Sequence, residues 1–249
     1  MTFMEQEIST WNKVMSAAMD FPGVAVDKSS FLKNELGAYC ETTEIEDLIK
    51  NGWKSDIDTS ILDKAATACI NSQTLKVTGA SAVAGLPGGF AMMATIPANM
   101  AQYYWHILVI AQKLAYIYGF PDIRDENGKL TDFAIDQLTL FVGAMSGVEV
   151  AKQGIKKAAT LLAGNVAKKL PQRALTKGLI YPIVKQVAKL LGVNLTKQGF
   201  SKGVSKFIPL VGGLISGGLT YITFKPMAIR LQKEMKEIRQ ERQKETKYI

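Results

Sequence analysis

Two cysteines in 249 residues exclude a disulfide framework and a cysteine-rich zinc fold. One histidine, His106, excludes a histidine-based metal cage. Several catalytic signatures are missing. The chain has no G-x-x-x-x-G-K-[ST], no G-x-G-x-x-G and no G-x-S-x-G elbow; Gly79-Ala80-Ser81-Ala82-Val83 does not match the last. No cofactor is implied. No strand pattern persists, since the β-prone residues 220–224 are few and isolated. No period of 20–50 residues repeats. Acid is absent between Val150 and Lys233, where 15 basic residues fall. What is present in quantity is apolar material: 47% hydrophobic against 21% charged residues, too apolar for a disordered chain and enough for a sizeable core.

The net charge of +8 is unevenly spread. Residues 1–151 hold 10 Lys/Arg and 18 Asp/Glu, a net of −8, and residues 152–249 hold 20 and 4, a net of +16. Soluble surfaces normally mix both signs. A stretch of one sign points to an anionic partner, and each lysine near an anionic bilayer is worth roughly 1 kcal/mol. The basic region is poor in the aromatic residues on which single-stranded nucleic acid stacks, and it has no RNA-recognition or zinc-finger signature. This argues for anionic lipid over nucleic acid. The lysines expected to meet it are Lys152, Lys156, Lys157, Lys168, Lys169, Lys185, Lys189, Lys202 and Lys206.

The chain reads as helices joined by Gly and Pro. The acidic start has no basic n-region and apolar run, so it is not read as a secretory signal. Cytoplasmic placement and reduced thiols at Cys40 and Cys69 are the matching expectations. Helices are expected over residues 5–19, 43–53 and 60–77, with a turn at Asp20-Phe21-Pro22-Gly23. Ser60-Ile61-Leu62-Asp63 resembles a capping box. From Val77 to Gln112 there are 36 residues without formal charge, interrupted by Pro87-Gly88-Gly89. A helix over residues 97–118, about 33 Å long at 1.5 Å per residue, would have Thr95 as N-cap and Gly119 as the residue after its C-cap. One helix is expected from Thr131 to near Leu162 and a short basic one over 182–191, with another starting at Thr196 or Ser201. Residues 207–224 form an uncharged, Gly-rich run. A charged helix over 227–247 carries an apolar stripe of Met227, Leu231, Met235 and Ile238.

Glycines four apart (Gly85 and Gly89, Gly143 and Gly147, Gly213 and Gly217) allow helix backbones to approach closely. Spans of about 20 apolar residues are needed to cross a bilayer. Residues 137–148 are too few, 207–224 are marginal and Pro87 breaks 78–100, so a buried helical core is favoured over membrane insertion. On the 97–118 helix, Asn99, Gln102, Tyr103, His106 and Lys113 fall within a sector of about 100°. Such a sector is either a ligand groove or a satisfied core network; one histidine makes it a poor transition-metal site.

Gly85-Leu86-Pro87-Gly88-Gly89, Ala94-Thr95-Ile96-Pro97-Ala98, Ala101-Gln102-Tyr103-Tyr104-Trp105-His106 and Ala111-Gln112-Lys113-Leu114-Ala115-Tyr116-Ile117-Tyr118-Gly119-Phe120-Pro121 together resemble the EcsC family. Lys206-Phe207-Ile208-Pro209-Leu210-Val211-Gly212-Gly213, Gly217-Gly218 and Phe224-Lys225-Pro226-Met227 resemble its C-terminal signature. The resemblance spans roughly residues 60–231 in order and spacing. It implies a helical bacterial protein, cytoplasmic or membrane-associated, with a membrane protein such as an ABC transporter as a partner. It carries over no catalytic residue, and the family often has an acid where this chain has Asn99.

The expectation is an all-α, single-domain helical bundle, with residues 1–58 as a peripheral helical layer and 59–249 as the core with its basic third. The function expected is non-enzymatic docking on the inner face of the cell membrane through anionic lipid, assisting a membrane or transport process. The alternatives are a membrane-perturbing or pore-forming protein, and an enzyme using the groove around His106.

Overall fold

The computed structural model describes residues 2–82, 98–125, 128, 130–163, 177–190 and 217–247. These form nine α-helices, and the fold is all-α and single-domain. The helices are α1 (Phe3–Met19), α2 (Lys28–Leu36), α3 (Thr42–Asn51), α4 (Thr59–Ala82), α5 (Ala98–Ile117), α6 (Asp132–Met145), α7 (Glu149–Ala163), α8 (Lys177–Leu190) and α9 (Gly217–Lys247). A 3-10 turn, Gly52–Lys54, follows α3.

The centre is α6. Every residue from Phe133 to Met145 is buried, and α1, α5, α7, α8 and α9 pack around it. Ten of those thirteen residues are apolar or glycine, with Asp136, Gln137 and Thr139 buried among them, and so apolar a helix is stable only when surrounded in this way. Thr131 caps it, its hydroxyl accepting from the Ala134 amide at 3.1 Å. The helix expected to continue to residue 162 stops at Met145, because Gly147 takes φ +82 and turns the chain into α7. Gly147 is therefore a turn residue and not half of a packing pair. Its intended partner Gly143 does serve close packing. A Cβ there would stand 2.7 Å from the Ala151 Cβ, and one at Gly154 would stand 2.5 Å from Leu140 Cδ2. Glycines at 143 and 154 thus set how near α6 and α7 approach.

The N-terminal helices share this core. Trp11, Met15 and Met19 recur at helical spacing on α1 and are buried, and the Trp11 indole donates to Thr139 Oγ1 of α6 at 2.8 Å. A capping box joins Thr2 and Glu5. Helix α2, which carries no strong periodic signal, is capped by Asp27, whose carboxylate accepts from the Ser30 amide at 2.7 Å. The cap of α4 is Asp58, accepting from the Ser60 amide at 2.6 Å. The expected Ser60–Asp63 box is not used; Asp63 turns elsewhere, as described below. Helix α5 ends as expected. Gly119 takes φ +89 and the Phe120 amide donates back to the Ala115 carbonyl at 2.9 Å. Gly119 also lies against Gly52, so the end of α5 and the 52–54 turn meet backbone to backbone.

Two prolines lie inside helices instead of starting them: Pro182 in α8 and Pro226 in α9. Each removes a bond to the residue four before it. Pro182 and Gly178 are both exposed, as are Pro226 and Ile222, so both interruptions lie on the outer sides of their helices. Residues 220–224 are helical, not extended. The expected stripe on the last helix is in place: Leu231, Met235 and Ile238 are buried and Met227 packs against the core.

Candidate functional site

Two groups of residues are candidates: the polar sector of α5 and the lysines of the acid-free stretch. Asn99, Gln102 and Tyr103 lie on α5, and their side chains fall outside the described residues. His106 is buried. Gln73 of α4 places Nε2 2.7 Å from its Nδ1. With the amide donating, the ring proton belongs on Nε2. Trp105 and Phe224 meet the ring edge to face. Burial, and then the charges of Lys76 and Lys113, pull the imidazole down to about 4. It is a neutral core group at physiological pH. Lys113 is half-buried with its ammonium 5.1 Å from the centroid of the Phe31 ring. The structure gives His106 and Lys113 separate structural partners on α4 and α2.

The polar residue of α5 with the most partners is one outside that sector. Gln112 is fully buried, and its amide nitrogen donates to Val24 O and Leu108 O, both at 2.9 Å, while Oε1 accepts from the Val26 amide at 3.1 Å. It ties the loop after α1 to α5. A buried glutamine one residue before Lys113 is hard to single out in sequence, because two of its partners are main-chain groups 86 and 88 residues away.

The lysines divide into two sets. On α7, Lys152 pairs with Glu149 and Glu234, both at 3.2 Å, and Lys156 pairs with Glu241 at 2.8 Å. Hydrogen bonds to those carboxylates raise both ammonium pKa values. Glu234 and Glu241 stand on α9, outside the acid-free stretch, seven residues apart on one helix face. On the other side of the division are Lys157 of α7 and Lys185 and Lys189 of α8. All three are exposed, and no described carboxylate lies within ion-pairing distance of them. Lys185 stands 5.7 Å from the Tyr181 ring centroid. Lys168, Lys169, Lys202 and Lys206 lie outside the described residues.

Helix α9 carries further charged groups that the sequence did not mark. Asp63 of α4 accepts from the Tyr118 hydroxyl and pairs with Lys236 of α9. Arg239 is fully buried. Its guanidinium donates to the Gly52, Ser55 and Ile57 carbonyls and to Ser55 Oγ. Burial draws it down to about 10, so it remains a cation at neutral pH. A buried arginine clamped on carbonyls fixes the N-terminal layer to α9.

The two thiols are free. Burial pushes Cys69 up to about 12 and Cys40 upward as well, so neither has thiolate character. Among the described residues there is no group of three or more His, Cys, Asp and Glu that could hold a metal ion. No described helix is long and apolar enough to cross a membrane. Comparison with protein-family models, with curated proteins and with solved structures found no match.

Proposed function

We propose that the protein is a non-enzymatic, peripheral membrane protein that docks on anionic lipid at the inner face of the cell membrane and assists a membrane or transport process. The EcsC-like character of residues 60–231, with a membrane protein such as an ABC transporter nearby, belongs to the same proposal. One observation carries it. Three lysines of a stretch without acid, Lys157, Lys185 and Lys189, are exposed and have no described carboxylate partner, although the same chain provides partners for Lys152 and Lys156. A lysine with no described carboxylate to pair with is available to a phosphate. The lack of a described spanning helix agrees with attachment to the surface. The apolar faces of α7 and α8 are already spent, since Ile155, Ile183, Val184 and Val187 are buried in the core. Attachment through these two helices is therefore electrostatic.

The test is co-sedimentation with phosphatidylcholine vesicles, with and without phosphatidylglycerol, across a salt series. Binding should require phosphatidylglycerol and weaken as salt rises, because the Debye length shrinks to about 8 Å at physiological ionic strength. Replacing Lys157, Lys185 and Lys189 together by Gln should cut affinity by on the order of a hundredfold, at roughly 1 kcal/mol per lysine. Replacing Lys152 and Lys156 should do less. Equal binding to neutral and anionic vesicles defeats the proposal.

A further inference from the structure

The outward face of α9 changes character along its length. Lys233, Gln240 and Lys244 are exposed on the second half, as expected of a helix lying on a protein surface. On the first half, Ile222, Pro226 and Ile229 occupy the same face at helical spacing. Ile222 is 66% exposed, Ile229 47% and the neighbouring Tyr221 45%. These side chains are not part of the core, which α9 meets through Phe224, Ala228 and Leu231. The antiparallel register of α4 on α9, fixed by Thr59 with Gln243 and Thr67 with Gln232, sets Leu75 level with the first half of α9. Leu75 is 69% exposed. Large apolar side chains gathered at one end of one face mark a contact surface.

Its surroundings are cationic. Lys225 lies within the stripe, 5.6 Å from the Tyr221 ring centroid, and Arg230 and Lys233 border it. The first carboxylate of α9 is Glu234, just beyond the stripe and already paired with Lys152. We infer that the first half of α9 is a membrane-interface helix, lying along an anionic bilayer with Ile222 and Ile229 in the boundary between headgroups and acyl chains, and Lys225, Arg230 and Lys233 at the phosphates. This rests on the docking reading above and adds the part that enters the lipid. Charge selects the occupant. A second copy would bring cation against cation. Nucleic acid would meet isoleucine where stacking rings are needed. An anionic bilayer meets both the cations and the apolar strip. Tyr221, an amphipathic ring beside a lysine, suits the headgroup level.

The same vesicle assay tests it with the full chain. Ile222→Asn with Ile229→Asn leaves the core untouched, so the melting temperature should hold. Affinity for phosphatidylglycerol-containing vesicles should fall roughly tenfold or more, since each isoleucine would lose its transfer into apolar surroundings. The salt slope should persist, because the cations remain. Ile222→Trp should bind severalfold tighter, a gain that misfolding cannot produce. Salt-dependent binding by the wild type with unchanged affinity in the double Asn variant overturns the inference and leaves electrostatic docking standing. No preference of the wild type for anionic vesicles overturns both. A wild-type dimer that the Asn variant breaks, with vesicle binding unaltered, makes the stripe a self-interface and also overturns it.

Discussion

The two halves of α9 use the same kinds of residue to opposite ends. In the second half four charges are spent inside the protein: Glu234 and Glu241 on α7, Lys236 on Asp63 and Arg239 on the 52–57 segment. In the first half Phe224 meets His106, Ala228 lies in the core and Arg230 donates to the Met145 carbonyl, while Ile222 and Ile229 face out. Net charge along a sequence therefore says little about charge available at a surface. What decides it is whether an opposite charge arrives from elsewhere in the fold, as the carboxylates of α9 do for Lys152 and Lys156 of α7.

The comparison breaks most severely if the second half loses its anchor. Arg239→Met keeps much of the side-chain bulk but leaves the Gly52, Ser55 and Ile57 carbonyls and Ser55 Oγ without their donor. Buried acceptors without partners are costly, and hydrogen bonds to a charged group are the stronger kind. The expected loss is about 3 kcal/mol or more, read from the urea midpoint. Exposed Ile222→Asn should stay within about 0.5 kcal/mol of wild type in the same measurement. Similar midpoints for the two variants would abolish the distinction between an anchored and an outward half.

Acid should act first on the other half. The imidazole of His106 titrates near 6.5 in an unfolded chain and at about 4 in the folded one. Between those values the unfolded state binds more protons, so stability falls as pH drops through that window and is fully present above it. The gap amounts to about 3 kcal/mol at its limit. His106→Gln removes this part of the loss. The difference in stability between variant and wild type should narrow as pH falls from 6.5 towards 4. Because the ring faces Phe224, amide exchange should quicken around Phe224 before it does around Arg239. A constant difference across that window would show that the ring stays accessible to protons when folded.

Local signals in the sequence placed several helix ends well. Thr131 and Gly119 do in the structure what their residue types favour, and the Leu231, Met235 and Ile238 stripe is buried. Signals with two readings went astray. Gly147 fitted a packing pair by spacing, yet a positive φ at the end of α6 claimed it, and so one long expected helix is two. Pro182 read as the start of a helix and residues 220–224 as β-prone, but Pro182 and Pro226 both lie inside helices, on their exposed sides. Helix α2 was not legible, because nine residues with Phe31, Leu32 and Leu36 buried give too few turns for a period to emerge. The candidate site was half legible. Single-sign charge and spacing identified the lysines, but pairing between positions 156 and 241, or between 73 and 106, belongs to the packing of helices and leaves no local mark. The outward isoleucines escaped notice because residues 207–224 read as one uncharged run and the charged helix was expected to begin only at 227, which split Ile222 from Ile229.

The mildest intervention sharpens the comparison most, because it converts one class of lysine into the other. Glu149→Gln, Glu234→Gln and Glu241→Gln together preserve shape and hydrogen-bonding capacity but remove the carboxylates paired with Lys152 and Lys156. Little melting change is expected from Glu241, since partly exposed pairs are worth at most about 1 kcal/mol. The freed ammonium groups sit on the same helix as Lys157, Lys156 next to it and Lys152 about a turn and a half away, and two cations near a charged bilayer are worth about 2 kcal/mol together. Affinity for phosphatidylglycerol vesicles should therefore rise by roughly tenfold and its salt dependence should steepen. If α7's lysines are held away from the bilayer by position and not by pairing, affinity will not change. In that case Lys157 joins them, and contact falls to α8 and the first half of α9.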